Sequence, residues 1–176
     1  MHATHAAGAS DADHELLELY LSEYSSLLRL ASVLVDDRAS CEDIVQEAFA
    51  RTLLAWRKGR GRAPAATNGA AFVRSAVLNG ARSRLRRRSV ARKYEPLLAN
   101  GHDALNETSA GVADHQLIVA EIRRLPDRQR EAVALRYYLD LPEAEIAHTL
   151  GISAGSVKTH LHRAMQTLAR RLEQDR

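Results

Sequence analysis

Three groups of side chains have types and spacings that could do chemistry. In the first, Asp36, Asp37, Asp43 and Glu47 gather carboxylates in a short stretch. Asp43 and Glu47, four apart, share one side of a helix and could hold a divalent cation, although such pairs are also common on plain helix surfaces. The second group is the run "RSRLRRRSVARK" beginning at Arg82. Clustered guanidinium groups of this kind neutralise phosphates. The third is "EAEIAHTLGISAGSVKTHLHRAM", where Lys158, His160, His162 and Arg163 follow a glycine. His160 and His162, two apart on a helix, face different ways and do not chelate a metal. Nothing pairs a nucleophile with a base or forms a phosphate loop, and Cys41 is the only cysteine, so no cysteine zinc site can form. The expectation is a protein that is not an enzyme and needs no cofactor. A metal-dependent nuclease built on the early carboxylates is the rival from that class.

Charge separates along the chain in the same pattern. Residues 1–50 carry ten acids against Arg29 and Arg38, whereas residues 51–94 carry thirteen Lys or Arg and no acid. An ordinary solvated face interleaves its signs, so an acid-free block points to nucleic acid. A lone cysteine suits a reducing cytosol. No apolar run approaches the ~20 residues of a membrane span, and "MHATHAAGASDAD" has no hydrophobic core of a signal peptide. A cytoplasmic protein without direct membrane insertion is expected.

The elements that position these groups are helical. Ala, Leu and Arg are abundant, and apolar residues make up 45% of the chain while aromatics make up 5%. From His14 to Val35, the residues Leu17, Tyr20, Tyr24, Leu27, Leu28, Ala31 and Leu34 recur at helical spacing. After "VDDRAS", Asp37 or Ser40 can cap a second helix, a short side-chain oxygen accepting a free first-turn N–H. That helix buries Cys41, Val45, Ala48, Phe49, Leu53 and Trp56 and shows Asp43, Gln46, Glu47, Ala50 and Leu54 on its other side. A Gly- and Arg-rich loop follows, then a third helix over about 70–94 with Phe72, Val73, Val77, Ala81 and Leu85 inward. Residues 95–114 read as a flexible linker and 1–13 as a disordered leader. Four helical stretches close the chain: 115–125, 127–139, 142–150 and 154–172. Pro126 and Pro142 stand where a helix begins and a missing N–H costs nothing.

The two stretches around Gly151 meet the needs of a helix-turn-helix. Ala147 allows a close crossing, Gly151 allows positive φ in the turn, and Val157 faces inward. Ile146, Leu150, Ile152 and Leu161 complete the inner set, and Ser153 can cap the second helix. Gly155, Ser156, Lys158, Thr159, His162 and Arg163 are left outward, short or basic, as a helix entering the major groove requires.

"LASVLVDDRASCEDIVQEAFARTLLAW" resembles the second conserved region of bacterial RNA polymerase sigma factors, especially the extracytoplasmic-function group. "LPDRQREAVALRYYLDLPEAEIAHTLGISAGSVKTHLHRAMQTLARRL" is similar to that group's fourth conserved region. The resemblance implies that Asp43, Gln46 and Glu47 dock on the clamp helices of the polymerase β′ subunit. It implies that Asn79, Arg82, Arg86 and Arg87 lie where the −10 promoter element passes, and that the loop from Arg57 to Gly69 holds a base flipped from the opened strand. It also implies that the C-terminal unit docks near the β flap and reads the −35 element, and it adds an anti-sigma factor wedged between the modules as a candidate partner. Cys41 stands where the family often has Ala, and Pro142 where it often has a capping Ser.

The expected protein is therefore all-α, with two small helical domains. A three-helix bundle spans 14–94, a four-helix helix-turn-helix domain spans 115–176, and a flexible linker joins them. Its expected partners are RNA polymerase core and promoter DNA. A stand-alone dimeric helix-turn-helix regulator is the nearest alternative.

Overall fold

The computed structural model describes the backbone of residues 3–58, 69–94 and 110–174, and the side chains of 14–57, 69–91 and 115–174. Its helices are α1 (Ala3–Leu34), α2 (Arg38–Lys58), α3 (Gly69–Tyr94), α4 (Ala110–Arg123), α5 (Asp127–Tyr138), α6 (Glu143–Leu150) and α7 (Ala154–Gln174). No strand occurs among the described residues. The first helix reaches closer to the N-terminus than its apolar repeat suggests, so the segment read as a disordered leader is helical from Ala3. The expected linker and the strand-holding loop fall largely on 59–68 and 95–109, outside the described residues.

Helices α1–α3 form the expected bundle. Between α1 and α2 the chain turns at Val35–Asp37, and Asp37, not Ser40, is the cap: its Oδ1 accepts the Ser40 N–H at 2.7 Å. Leu27, Leu30, Val45, Phe49, Val73 and Val77 fill the centre. Leu17 and Tyr20 were expected inside but are exposed. The buried face of α1 lies further along, at Leu27, Leu30, Ala31, Val33 and Leu34, because α2 and α3 cover only its second half closely. Helices α2 and α3 cross where α3 has no side chain. A Cβ on Gly80 would lie 3.0 Å from Ile44 Cγ2, so the glycine sets the close approach.

Helices α4–α7 form the second unit around Leu135, Ile146, Val157, Ala164 and Leu168. Gly151 ends α6 at φ 65 and ψ 38, and the Ile152 N–H returns to the Ala147 carbonyl at 3.1 Å. This is the sharp turn that the glycine was expected to provide. Pro126 and Pro142 occupy the cap positions, where their carbonyls accept the Arg130 and Ile146 N–H groups at 3.0 and 3.1 Å. Within this unit the buried Glu121 carboxylate ties α4 to α7 through Arg171 at 3.4 Å.

The two units are not merely tethered. A single continuous apolar core runs through both, from Leu27 and Val77 to Leu135 and Leu168. Along the seam, Arg82 of α3 makes a two-point ion pair with Glu131 of α5, with one bond at 2.7 Å. Arg74 is held between Glu23 of α1 at 3.2 Å and Glu145 of α6 at 3.3 Å. The Ser75 hydroxyl donates to the Thr149 carbonyl at 3.1 Å, and Arg123 donates to the Ser32 carbonyl.

Candidate functional site

The acidic face is built by α2. Its inward residues Cys41, Val45, Ala48, Phe49 and Trp56 fix the helix's rotation, which turns Asp43, Gln46 and Glu47 to solvent. Glu47 pairs with Arg51 one turn on, at 2.8 Å, with both side chains well exposed. The three predicted residues border one shallow groove of about 480 Å³ with Ile44, Gly80, Ser83, Arg84 and Arg87. An exposed carboxylate row beside two guanidinium groups suits a protein surface carrying charges of both signs. Asp36 and Asp37 do not line it; both lie beside Arg88 of α3. Among the described residues no three metal-ligating side chains converge.

Helix α3 divides its predicted DNA contacts between two sides. Asn79 and Arg82 are neighbours, the Arg82 Nη1 donating to Asn79 Oδ1 at 2.9 Å. Arg86 continues that side and is exposed. Arg87 is also exposed but borders the acidic groove, apart from Asn79 and Arg82. Arg82 is engaged by Glu131, whose bond holds its guanidinium even more firmly charged than usual. Of the four predicted DNA contacts, Arg82 is thus the one held by a carboxylate of the second unit.

On α7, packing of Val157 and Ala164 against the core settles which face is outward. Ser153 caps the helix, its Oγ accepting the Ser156 N–H at 3.1 Å, and its hydroxyl pairs with that of Ser156 at 2.9 Å. Lys158, Thr159, His162 and Arg163 are exposed as expected, whereas Ser156 is half-buried. Thr159 turns its hydroxyl back to the Gly155 carbonyl at 3.0 Å, leaving its methyl group on the surface. Lys158 is tethered loosely to Glu143 at 3.9 Å.

Sequence reasoning missed Arg74, Glu131 and Glu145. One signal was present: Glu131 opens the run "EAVAL", whose other members are all buried, so an acid there had to find a partner.

A helix-turn-helix unit packed against a three-helix bundle that carries an acidic patch on α2 and a run of arginines on α3 is the architecture of a transcription initiation factor. Residues 19–91 match the model for sigma-70 region 2, and residues 115–168 match the model for sigma-70 region 4. The chain is 31% identical to the RNA polymerase sigma-E factor of Streptomyces coelicolor, over 90% of this chain and 86% of that protein. It is 30% identical to the ECF RNA polymerase sigma factor SigL of Mycobacterium tuberculosis, over 96% and 95% of the two chains. In fold it is similar to the sigma factor RpoE of Bartonella quintana, solved with the anti-sigma factor NepR: TM-score 0.72, 22% identity, 92% of this chain and 99% of that one. It is also similar to CnrH, solved with the cytosolic domain of CnrY: TM-score 0.67, 17% identity, 98% and 97% coverage. The chain belongs to the extracytoplasmic-function group of the sigma-70 family of RNA polymerase sigma factors. As such it binds polymerase core and directs promoter-specific transcription initiation.

Proposed function

We propose a division of this activity among the surfaces described. Asp43, Gln46 and Glu47 dock α2 on the clamp helices of the polymerase β′ subunit. Asn79, Arg82, Arg86 and the basic end of α3 engage the −10 element, and the loop after α2 holds the opened strand. Ser156, Lys158, Thr159, His162 and Arg163 place α7 in the major groove of the −35 element while its unit rests near the β flap. Strand opening needs no hydrolysis, since binding energy for the open strand shifts the duplex equilibrium. The protein acts without catalysis and without a cofactor, in the cytoplasm. Among the described residues no helix is long and apolar enough to cross a membrane. An anti-sigma factor, of the kind bound to the Bartonella RpoE, is a candidate partner.

The observation that carries this reading is the exposed outer face of α2, where Asp43, Gln46 and Glu47 stand together on a groove that Asn79 and Arg82 do not line. A DNA-only regulator has no use for a carboxylate row that repels phosphate. Size-exclusion chromatography with cognate polymerase core tests it. Co-elution that fails with Glu47→Arg supports the assignment. Binding to DNA without any association with core would refute it in favour of a stand-alone regulator.

A further inference from the structure

Apart from the surfaces assigned above, a cavity of about 310 Å³ lies where α1, α3, α4 and α5 meet, at the small end of the range of ligand pockets. The turn after α1 contributes Asp36, α3 contributes Leu85, Arg88 and Ser89, the end of α4 contributes Arg123, and α5 contributes Arg130. Three guanidinium groups and one carboxylate line it, a surplus of two positive charges. Arg130 is a deeply buried cation, its side chain 9% exposed. It donates to the Arg123 carbonyl at 2.7 Å and to Asp127, but its buried Nε has no partner among the described residues. Asp127 is 72% exposed, so water and salt screen its charge. Arg123 donates to a neutral acceptor, the Ser32 carbonyl, and its Nε is likewise buried without a partner. Burial works against the Arg123 charge and lowers its pKa, with Asp36 the main opposing influence. Asp36, however, pairs directly with Arg88. Asp37 lies 3.8 Å from Arg88 and is engaged as the cap of α2.

Buried N–H groups without acceptors are rare and costly. A water molecule would satisfy them and leave the surplus charge in place, whereas a tetrahedral dianion answers both. Arginine matches phosphate oxygens in geometry, and a partly buried cavity strengthens each such bond. A phosphate monoester carries close to two negative charges at neutral pH, whereas a diester such as the DNA backbone carries one. We propose that this cavity is a binding site for a small phosphate dianion, either inorganic phosphate or the phosphate group of a monoester. Arg88, Arg123 and Arg130 hold it, with the Ser89 hydroxyl at the exposed rim. The site goes beyond the DNA and core contacts proposed above and does not rest on them.

The test is isothermal titration calorimetry on the full chain, in chloride buffer of fixed ionic strength, with three probes: inorganic phosphate, methyl phosphate and dimethyl phosphate. The first two should bind at one site per chain, and dimethyl phosphate about tenfold or more weakly. Arg123→Gln and Arg88→Gln should each weaken methyl phosphate about tenfold or more, the loss of a charge-assisted hydrogen bond. Arg170→Gln, an exposed cation elsewhere, should leave its affinity unchanged. Absence of binding by both dianions overturns the site, as does equal weakening by Arg170→Gln, which would mean loose adhesion to surface cations. Dimethyl phosphate binding as tightly as methyl phosphate overturns the dianion assignment and makes the cavity a contact for DNA backbone. Should Arg123→Gln fail to fold, Arg88→Gln carries the measurement, because the Arg88 side chain is about one-third exposed.

Discussion

Reversing one charge on the outer face of α2 separates recognition from folding. The Glu47 side chain is 62% exposed and its pair with Arg51 is equally open to solvent. Losing such an exposed i,i+4 pair costs about 0.3–0.5 kcal/mol, and setting an arginine four residues from Arg51 costs a similar amount. The sum stays below about 1 kcal/mol, a fall in Tm of about 2–4 °C for a chain of this length. Truncating a charge that is paired and desolvated across an interface costs about 2–5 kcal/mol, and reversal also introduces repulsion. Glu47→Arg should therefore weaken core binding by about thirtyfold or more. Titrating labelled protein with polymerase core gives the affinity, and a circular dichroism melt on the same sample gives the stability. An affinity within roughly threefold of the parent, with an unperturbed melt, would refute the docking role of this face. A melt that falls by much more than a few degrees would instead show that Glu47 supports the fold.

Three other perturbations probe separate parts of the molecule. Lys158→Ala and Arg163→Ala remove exposed cations from α7, and each that contacts phosphate should lower the salt slope of binding to upstream promoter DNA by about 1. An unchanged slope in both would mean that α7 faces another way. Asp37→Ala removes the cap that accepts the Ser40 N–H and should cost about 1 kcal/mol in a denaturant titration without altering the slope of that titration. Cys41 tests the core electrostatically: burial, aided by the charge of Asp37, pushes its thiol up to about 11 from the usual 9.0. Because the folded value is the higher one, this stability is whole below about pH 9 and is lost as pH rises from about 9 to about 11. The loss is on the order of 2 kcal/mol. Tyr24 and Tyr138 are also raised, chiefly by burial, and titrate in the same sense. The part of the alkaline fall that disappears in Cys41→Ala is the measure, and an identical fall in both proteins would contradict the burial argument.

Much of this protein was legible in the residues because its devices are local. The turn at Gly151, the cap at Ser153 and the inward Val157 lie within a few residues of one another, and backbone sterics and helical period suffice to place them. The two faces of α2 follow from the same period, since a helix that buries Val45, Ala48 and Phe49 must expose Asp43, Gln46 and Glu47. Composition and the acid-free block likewise pointed to helices and to nucleic acid without any contact being known.

Periodicity says which side of a helix is apolar but not how far a neighbour covers it. Leu17 and Tyr20 thus continue the repeat of α1 yet lie on the surface, where α2 and α3 no longer cover it closely. Nor does a run of arginines reveal which one meets an acid from elsewhere. Arg86 and Arg87 are adjacent in the same basic run yet end on different sides of α3, while Arg82 is taken by a carboxylate 49 residues distant. Ion pairs of that separation depend on how two units pack, and their packing depends on the summed burial along the seam. The local sequence determined a helical sigma factor with a helix-turn-helix in its C-terminal unit and an exposed acidic patch on α2. Only the tertiary structure decided that the two units close on each other, because the groups that close them become neighbours after both have folded.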